Sequence, residues 1–549
     1  MVGLLGWFGW EVTVISSNFI SLQLIMTMAV VIHLIVRYRE LLAEKPEADN
    51  RALIVETMCL KLHPCLFATL TTVAGFGSLL LCDILPVITF GWMMIAGLFV
   101  SLVVTFILFP TILAFMPKPA PVIRSSAPAA WSGWTAKFTQ ERGRLILWIS
   151  IIGLVLGLAG IAQLEVENSF IDYFKSNSEI YRGMRVVDRE LGGTTPLDLI
   201  LHFDANEPNT LGNSVADANE KGTRTTEFDE EFDEFAEFDT FEAEFADGNE
   251  DPNKYWFTPG KMDLVRSIHQ YLDDLPATGK ILSLATTLEM AQRLNEGKPL
   301  DSLAMALLFN EAPEDLQELL IRPYVSVENN EARFSMRIQD SMPGLRRRQL
   351  LETIQNDLQE TFNLPPDRFR LSGIMVLYNN MLQSLFESQI LTLGITVLAL
   401  MTMFLVLFRS IKIALIAILP NLLSIGVVLG FMGWVGIPLD LMTITIAAIS
   451  IGIAVDDTIH YIHRFQTEFP RDRDYLATMH RCHRSIGHAM SYTSITIILG
   501  FSILGFSNFI PSIYFGLLTS LAMFIALLAA LTLLPRLIIM VKPFGPEES

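Results

Sequence analysis

One segment that occurs twice in this chain decides its fold. The first copy, at Gly75–Gly91, reads GFGSLLLCDILPVITFG, and the second, at Gly500–Gly516, reads GFSILGFSNFIPSIYFG. One offset, 425 residues, aligns Gly75, Phe76, Pro86, Phe90 and Gly91 with Gly500, Phe501, Pro511, Phe515 and Gly516. Upstream, HLIVRYRE from His33 aligns with HYIHRFQTE from His460 at an offset of 427. The chain therefore contains two related modules, and membrane transporters are often built in this way, with the substrate path at the repeat interface.

The composition supports a membrane protein. Of the 549 residues, 51% are hydrophobic and only 18% are charged, which argues against both a soluble and a disordered chain. The formal net charge of −19 disfavours a nucleic-acid partner, because the polyanion would be repelled. The four cysteines lie in or beside apolar runs, so we predict no disulfide framework. They are Cys59, Cys65, Cys82 and Cys482.

Nine apolar runs are long enough to cross a bilayer, which takes about 20 residues. They lie near Asn18–Tyr38, Pro64–Ile84, Val87–Met116, Leu145–Leu164, Ile390–Phe408, Ile411–Val435, Leu439–Ile462, Ala489–Phe506 and Pro511–Met540. Basic residues collect in alternate loops, the first of which holds Arg37, Arg39, Lys45, Arg51 and Lys61. The positive-inside rule then places the basic loops in the cytoplasm and the polar region 165–388 on the opposite side.

These features predict a domain order. Residues 1–116 form the C-terminal part of a first membrane module, 117–143 a cytoplasmic linker and 144–164 a span. Residues 165–387 form a polar domain, 388–541 a second membrane module and 542–549 a cytoplasmic tail. The repeat also implies that the first module begins about 280 residues before Met1. We therefore expect its opening spans and its own polar domain to be absent from this chain.

The polar domain has the pattern of a mixed α/β fold. Short strands are predicted at Leu197–Phe203, Tyr324–Val327, Ala332–Ile338 and Arg368–Gly373. Amphipathic helices are predicted at Lys261–Leu275, Thr286–Leu294, Ala312–Leu320 and Leu345–Phe362. The strand–helix–strand order indicates a split βαβ, ferredoxin-like domain.

An acidic, phenylalanine-rich insertion occupies 204–256. Seventeen acidic and three basic residues lie between Asp204 and Lys254, and phenylalanines recur every three or four residues in Glu227–Phe245. Such spacing is typical of a helical stripe that docks on the polar domain, a partner or amphiphilic cargo. A segment kept disordered by its own charge repulsion is equally compatible with the pattern.

The sharpest chemical feature is GIAVDDTIH at Gly452–His460, inside an apolar span. A carboxylate in mid-membrane costs on the order of 2.5–3.5 kcal/mol and normally faces the bundle interior on an ion or proton path. We therefore predict that Asp456 and Asp457 form a proton relay, with a purely structural pair as the alternative. The relay is one-sided, because at offset 427 the two acids align with Ala29 and Val30.

Partners for these acids are expected to be neutral or water, because no Lys or Arg lies deep in any apolar run. His460, one turn beyond Asp456, is a candidate shuttle, although it and its repeat mate His33 are as easily structural residues near the membrane interface. Hydroxyl and amide candidates are Thr493, Ser494, Thr496, Thr27 and Gln23. No phosphate-binding loop, zinc-type spacing or Ser/His/Asp signature is present. We therefore expect no enzyme activity, no cofactor and no metal, and a proton gradient as the energy source.

The chain resembles the RND superfamily, and within it the MMPL-type, hydrophobe-exporter branch with a sterol-sensing-like membrane core. The resemblance covers essentially the whole chain. It rests on GIAVDDTIHYIHRF at Gly452–Phe465, the paired GF…P…FG blocks, and IYRGMRVVDRELGG at Ile180–Gly193. It implies twelve spans, two porter domains and export driven by proton motive force, with the spans of this chain corresponding to the fourth to the twelfth. It also implies a proton site from acids of the fourth and tenth spans, of which only Asp456 and Asp457 are present here.

The prediction is thus a polytopic α-helical membrane protein of about nine spans with one α/β ferredoxin-like extracytoplasmic porter domain. Its expected function is proton-driven export of lipid-like or hydrophobic molecules, in the bacterial inner membrane with the large domain periplasmic. A non-transporting lipid sensor or scaffold and a protein-export accessory are the alternatives. We expect membrane lipids and a hydrophobic or amphiphilic substrate as partners, with a homo-oligomer and a periplasmic partner protein left open.

Overall fold

The computed structural model describes residues 2–13, 15–119, 127–164, 169, 171–203, 256–295, 313–342, 344–440 and 442–547. The acidic insertion therefore lies outside the described residues, apart from Trp256. The chain forms two compact units. Unit 1 comprises Met1–Asn168, Asp172–Ser178 and Met381–Ser549, and unit 2 comprises Ser169–Ile171 and Glu179–Asn380.

The secondary structure is mostly helical. In chain order the described helices are α1 (Val2–Phe8), α2 (Phe19–Glu44), α3 (Asn50–Ser78), α4 (Leu85–Phe115), α5 (Ala127–Glu141), α6 (Gly143–Ile161), α7 (Glu179–Glu190), α8 (Pro259–Asp273), α9 (Leu284–Leu294), α10 (Glu314–Leu320), α11 (Arg347–Glu360), α12 (Ile374–Phe408), α13 (Ile411–Val435), α14 (Thr443–Glu468), α15 (Tyr475–Cys482), α16 (His488–Ser502), α17 (Ile510–Leu531) and α18 (Leu533–Val541). The strands are β1 (Thr195–His202), β2 (Thr278–Leu282), β3 (Val325–Ser326), β4 (Glu331–Ile338) and β5 (Phe369–Ser372).

Nine helical segments of the described chain are long and apolar enough to cross a membrane, as the sequence predicts. They are Ser16–Glu44, Asn50–Leu81, Leu85–Phe115, Gly143–Ile161, Ile374–Phe408, Ile411–Val435, Thr443–Arg471, Tyr475–Phe506 and Ile510–Val541. The protein is therefore a multi-pass membrane protein. The spanning segment that contains α14 lies at the centre of its unit, because 94% of its most apolar stretch is buried. The corresponding share for α4 is 11%.

Several helices begin earlier than their apolar runs. The backbone N–H of Arg51 donates to the side chain of Asp49, which caps α3 at a point well before Pro64. The prediction that Lys61 lies in a loop is therefore wrong, because α3 already includes it. In the same way Asp474 caps α15, which continues through a five-residue π-helix, His483–Gly487, into α16. The apolar runs alone did not show where these helices begin, because the turns of α3 and α15 that precede the runs contain polar and charged residues.

The repeat is visible in the helix packing of unit 1. α14 packs against α3, and α2 packs against α16. These two contacts are related by the repeat, since α2 and α3 in the first module correspond to α14 and α16 in the second. The contact between α14 and α3 is especially close. A Cβ added at Gly75 would lie 2.8 Å from the Ala448 carbonyl oxygen and 3.1 Å from Gly452 Cα.

Unit 2 contains an antiparallel sheet with the strand order β2-β4-β1-β5, and β3 pairs with β4. α8 lies between β1 and β2 in sequence, and α11 lies between β4 and β5. Each helix thus connects two strands that have a third strand between them, which is the split βαβ arrangement predicted from the sequence. Inward-facing Leu197, Leu199 and Leu201 of β1 share one core with residues of both helices. β2 was missed by the sequence analysis.

A buried carboxylate joins the connection between α7 and β1 to the segment that follows β4. Asp188, at the end of α7, is fully buried and accepts hydrogen bonds from the Thr194 amide and hydroxyl and from the Asp340 and Ser341 amides. Burial by itself raises the pKa of Asp188, but hydrogen bonds from Ser341, Thr194 and Asp340 together outweigh it, so the pKa lies below its ordinary value. Asp188 belongs to the IYRGMRVVDRELGG segment, whose two final glycines take positive φ angles.

Candidate functional site

The first element of the candidate site is a buried carboxylate in the middle of unit 1. The Asp457 side chain on α14 is 3% exposed, and its Oδ2 accepts a hydrogen bond of 2.8 Å from the Ser494 hydroxyl on α16. Ser494 itself is fully buried. Of the neutral partners proposed from the sequence, Ser494 is therefore the one that contacts an acid directly.

The second element is a carboxylate between two imidazole rings. Asp456 Oδ2 lies 3.4 Å from His33 Nε2, and Asp456 Oδ1 lies 3.2 Å from His460 Nε2. The two rings lie 4.3 Å apart between centroids, at an interplanar angle of 33°. His33 and His460 are 1% and 3% exposed, whereas the Asp456 side chain keeps 21% exposure.

These contacts do not satisfy the groups that make them. Both ring nitrogens of His33, Nε2 of His460 and Oδ1 of Asp456 are buried and have no hydrogen-bond partner of acceptable geometry. A buried polar group without a partner costs about 1–3 kcal/mol. The ligand-type atoms of the cluster lie within 4.8 Å of one another and are of the kinds that hold a metal ion.

The helices around the acids are held by hydrogen bonds from buried side chains. Thr72 on α3 donates to the Gly452 carbonyl of α14 at 3.1 Å, one turn before Asp456. On the other side, Asn421 of α13 donates to the Thr458 hydroxyl at 3.3 Å. Asn421 was missed by the sequence analysis, although a buried amide in an apolar run is a usable signal. The acids are therefore presented by a helix whose position is set from three sides.

One charged group also lies near the cluster. Lys61 on α3 interacts electrostatically with Asp456 and with Glu40, while Cys65 on the same helix is a buried thiol. Among the described residues, the side chains given in contact with Asp456 are the imidazoles of His33 and His460, and Lys61 acts on it only at longer range. The expectation of neutral partners or water therefore stays a prediction.

The remaining candidates from the sequence have partners elsewhere. The Thr493 hydroxyl donates within α16, to the Ala489 and Met490 carbonyls, and the Thr496 hydroxyl donates to Tyr492 of the same helix. On α2, the Thr27 hydroxyl contacts the Ser101 hydroxyl at 2.6 Å, and Gln23 Nε2 donates to the Gly97 carbonyl at 2.8 Å. In the part of the chain that the structure describes, none of these four side chains forms a hydrogen bond with either acid, and their role in a relay stays a prediction.

His33 has a larger part in the site than the sequence indicated. Its alignment with His460 was the available signal, but that alignment was taken to suggest a structural residue. Repeat-related residues meet where a local two-fold axis passes between modules, and His33 and His460 meet in this way. The acid between them breaks the symmetry, because Ala29 occupies the equivalent of Asp456.

Comparisons with known proteins agree with this architecture. A model of the MMPL family matches residues 256–548. A protein of Methanocaldococcus jannaschii described as a membrane protein is 23% identical over 277 residues, which are 50% of this chain and 70% of that protein. A Niemann-Pick type C1-related protein of Plasmodium falciparum is 28% identical over 191 residues, covering 34% of this chain and 12% of that protein.

Among solved structures, SecDF, a translocon-associated membrane protein from Thermus thermophilus, has a similar fold. The TM-score is 0.52 at 12% sequence identity, and the match covers 98% of this chain and 56% of the SecDF chain. This chain thus spans little more than half the length of SecDF, with which it shares the fold. Because the family model matches more than half of its length, the protein belongs to the MMPL family.

Proposed function

We propose that this protein exports lipid-like or hydrophobic molecules across or out of the bacterial inner membrane, driven by the proton motive force. Family membership supports a transporter or an accessory of transport. The observation that carries the proton coupling is Asp457, a carboxylate 3% exposed within the helix bundle and held by one hydroxyl. An ionisable group is costly at such a place, and function is the usual reason for keeping it there.

The coupling step would act at the contact between α14 and α16. As a carboxylate, Asp457 accepts a hydrogen bond from Ser494; as a neutral acid it also carries an O–H that needs an acceptor. Loading a proton therefore changes which partners the side chain needs. Because α16 packs against α2 and α14 packs against α3, that change would shift the contacts between the two modules.

Water is the natural carrier between this acid and the two sides of the membrane. The buried hydroxyls of Ser450 on α14 and Thr519 on α17 have no hydrogen-bond partner, and these two helices pack together. Ordered water commonly satisfies such groups. By the positive-inside rule, the basic loops face the cytoplasm and the sheet-containing unit 2 is periplasmic.

The test is proton flux in proteoliposomes that contain the full chain and a pH-sensitive dye, with an imposed pH gradient. Asp457→Asn keeps the size of the side chain and removes the proton site, so we expect flux and substrate export to fall to the level of empty vesicles. Asp83→Asn, which changes an exposed acid outside the site, is the matched control and should keep both.

A second variant tests the local geometry. Ser494→Ala removes the hydrogen bond to Asp457, worth about 0.6 kcal/mol on average between membrane helices and up to about 1.7. We expect a several-fold lower flux without loss of folded protein. Ser150→Ala is the control, since the Ser150 hydroxyl only donates within α6. Wild-type flux and export by Asp457→Asn would remove the basis of the proposal.

A protein-export accessory is the second candidate, and the likeness to SecDF favours it because it covers 98% of this chain. Both candidates use a proton gradient, so the flux assay does not separate them. A photoreactive residue at exposed positions of unit 2, such as Met290 on α9, does separate them. Crosslinks to lipid support the exporter, whereas crosslinks to exported polypeptide support the accessory.

A further inference from the structure

We propose that His33, Asp456 and His460 bind a divalent transition-metal ion of the Zn²⁺ type. This site goes beyond the proposed function and does not depend on it. Asp456 and His460 lie one turn apart on α14, whereas His33 on α2 lies more than 400 residues earlier in the chain, so no local His/Cys spacing reveals the complete site. Two imidazole nitrogens and a carboxylate are a donor set that suits Zn²⁺, Co²⁺ and Ni²⁺ better than Mg²⁺ or Ca²⁺.

The distances between the ligand atoms fit such an ion. Zn²⁺ holds histidine nitrogen and carboxylate oxygen at about 2.0–2.2 Å in a tetrahedron, which places neighbouring ligand atoms about 3.3–3.5 Å apart. Asp456 Oδ2 lies 3.4 Å from His33 Nε2 and Asp456 Oδ1 lies 3.2 Å from His460 Nε2, while one ligand atom from each of the three residues lies within 4.8 Å of the other two. Three protein ligands leave the fourth position for water or another small ligand.

The unsatisfied atoms are an independent observation. His33 Nε2, His460 Nε2 and Asp456 Oδ1 point into the cluster without a hydrogen-bond partner, and both imidazoles are more than nine-tenths buried. Each carboxylate oxygen of Asp456 could accept a hydrogen bond from one imidazole ring. Neither the contact with His33 nor the contact with His460 has the geometry of a hydrogen bond. One ion between the three groups satisfies all of these atoms together.

The local charge is also suitable. The Asp456 carboxylate offsets one of the two charges of a divalent ion in the low-dielectric interior, and a hydroxide at the fourth position would offset the other. Lys61 interacts with Asp456 from α3 and opposes a cation, but it also interacts with Glu40, which offsets it. Burial in the membrane then favours a neutral assembly over an isolated charge.

An ion at this place would join the two modules. His33 lies on the first module and Asp456 and His460 lie on the second, so coordination would hold α2 and α14 together where the repeat-related histidines meet. The expected consequence is a reversible lock on movement between the modules.

The test uses the full chain, purified in detergent with an affinity tag that contains no histidine, and Co²⁺ as the probe. Tetrahedral Co²⁺ has strong visible absorption, which reports both stoichiometry and geometry. We expect one Co²⁺ per chain, displaced by Zn²⁺ but not by Mg²⁺. His33→Gln, His460→Gln and Asp456→Asn should each weaken binding by about 100-fold or more, beyond the 10–100-fold cost of losing an outer-shell partner.

The control is His463→Gln, an exposed histidine one turn beyond His460 on the same helix, which should bind Co²⁺ like the wild type. Asp457→Asn separates the two proposals, because it should lose proton flux while it still binds Co²⁺. The proposal is wrong if the wild type binds no Co²⁺, or binds it only in octahedral geometry. Equal binding by the ligand variants also overturns it, and the wild-type spectrum decides the matter even where a variant does not fold.

Discussion

The close contact between α3 and α14 predicts that Gly75→Ala destabilises this protein. The new Cβ would lie 2.8 Å from the Ala448 carbonyl oxygen and 3.1 Å from Gly452 Cα, where ordinary contact begins at 3.4 Å. Both obstacles are backbone atoms, so the helices must separate by about 0.6 Å. Overpacking of this kind costs about 1–3 kcal/mol.

The same separation weakens a hydrogen bond near the site. The Thr72 hydroxyl reaches the Gly452 carbonyl at 3.1 Å, and an added 0.6 Å takes it out of hydrogen-bonding range. That loss is worth about 0.6 kcal/mol between membrane helices. We therefore expect Gly75→Ala to lower the free energy of unfolding by about 1.5–3.5 kcal/mol before any gain in helix propensity.

The assay is equilibrium unfolding of the full chain in mixed micelles, followed by tryptophan fluorescence. Gly77→Ala is the matched control, because it lies in the same last turn of α3 and its Cβ would meet only a side-chain atom, at 3.9 Å. Both variants gain up to about 1 kcal/mol of helix propensity, so the difference between them isolates the contact. Equal stability of the two variants would refute the reasoning.

Three further predictions concern other parts of the molecule. In unit 2, folding lowers the pKa of Asp188, so its contribution to stability is present above an unfolded pKa of about 4 and is lost as the pH falls below that value. Asp188→Asn should cost about 2 kcal/mol at pH 7 and should reduce the loss of stability at acid pH. Hydrogen exchange of β4 measures both effects. Burial lowers the pKa of His269, whose Nδ1 lies 2.9 Å from the Ser283 hydroxyl, so folding favours the neutral ring. The stability of unit 2 should therefore fall as the pH drops below about 6.5. His269→Gln should remove this pH dependence in the same hydrogen-exchange experiment. In unit 1, a Cβ at Gly160 would overlap the Gly430 carbonyl, so Gly160→Leu should separate α6 from α13 and reduce the yield of monodisperse protein, while Gly153→Leu has more room.

Most of the architecture could be predicted from the sequence. The nine spans follow from the apolar runs, because a bilayer requires about 20 apolar residues with all backbone groups satisfied within the helix. The split βαβ unit follows from strand and helix order. Strand β2, Thr278–Leu282, was missed because it is an edge strand, with only one residue buried and no alternation to reveal it.

The candidate site could be predicted only in part. Asp456, Asp457 and His460 stand out because charged and polar groups are rare in an apolar span. Their partners could not be chosen by the same reasoning, since Thr493, Ser494 and Thr496 are of similar chemistry and lie on one helix. Only the rotation of α16 about its own axis decides that Ser494 faces Asp457.

The sequence by itself thus determined which segments cross the membrane, that two modules are related, and which residues carry charge inside them. These properties depend on the composition of each segment taken alone, because a segment crosses the bilayer when it is apolar over about 20 residues. The tertiary structure alone decided that His33 joins Asp456 and His460, and that α3 meets α14 at Gly75. Helix rotation and register are set by side chains packing across an interface, and hydropathy along one helix contains no information about its neighbour.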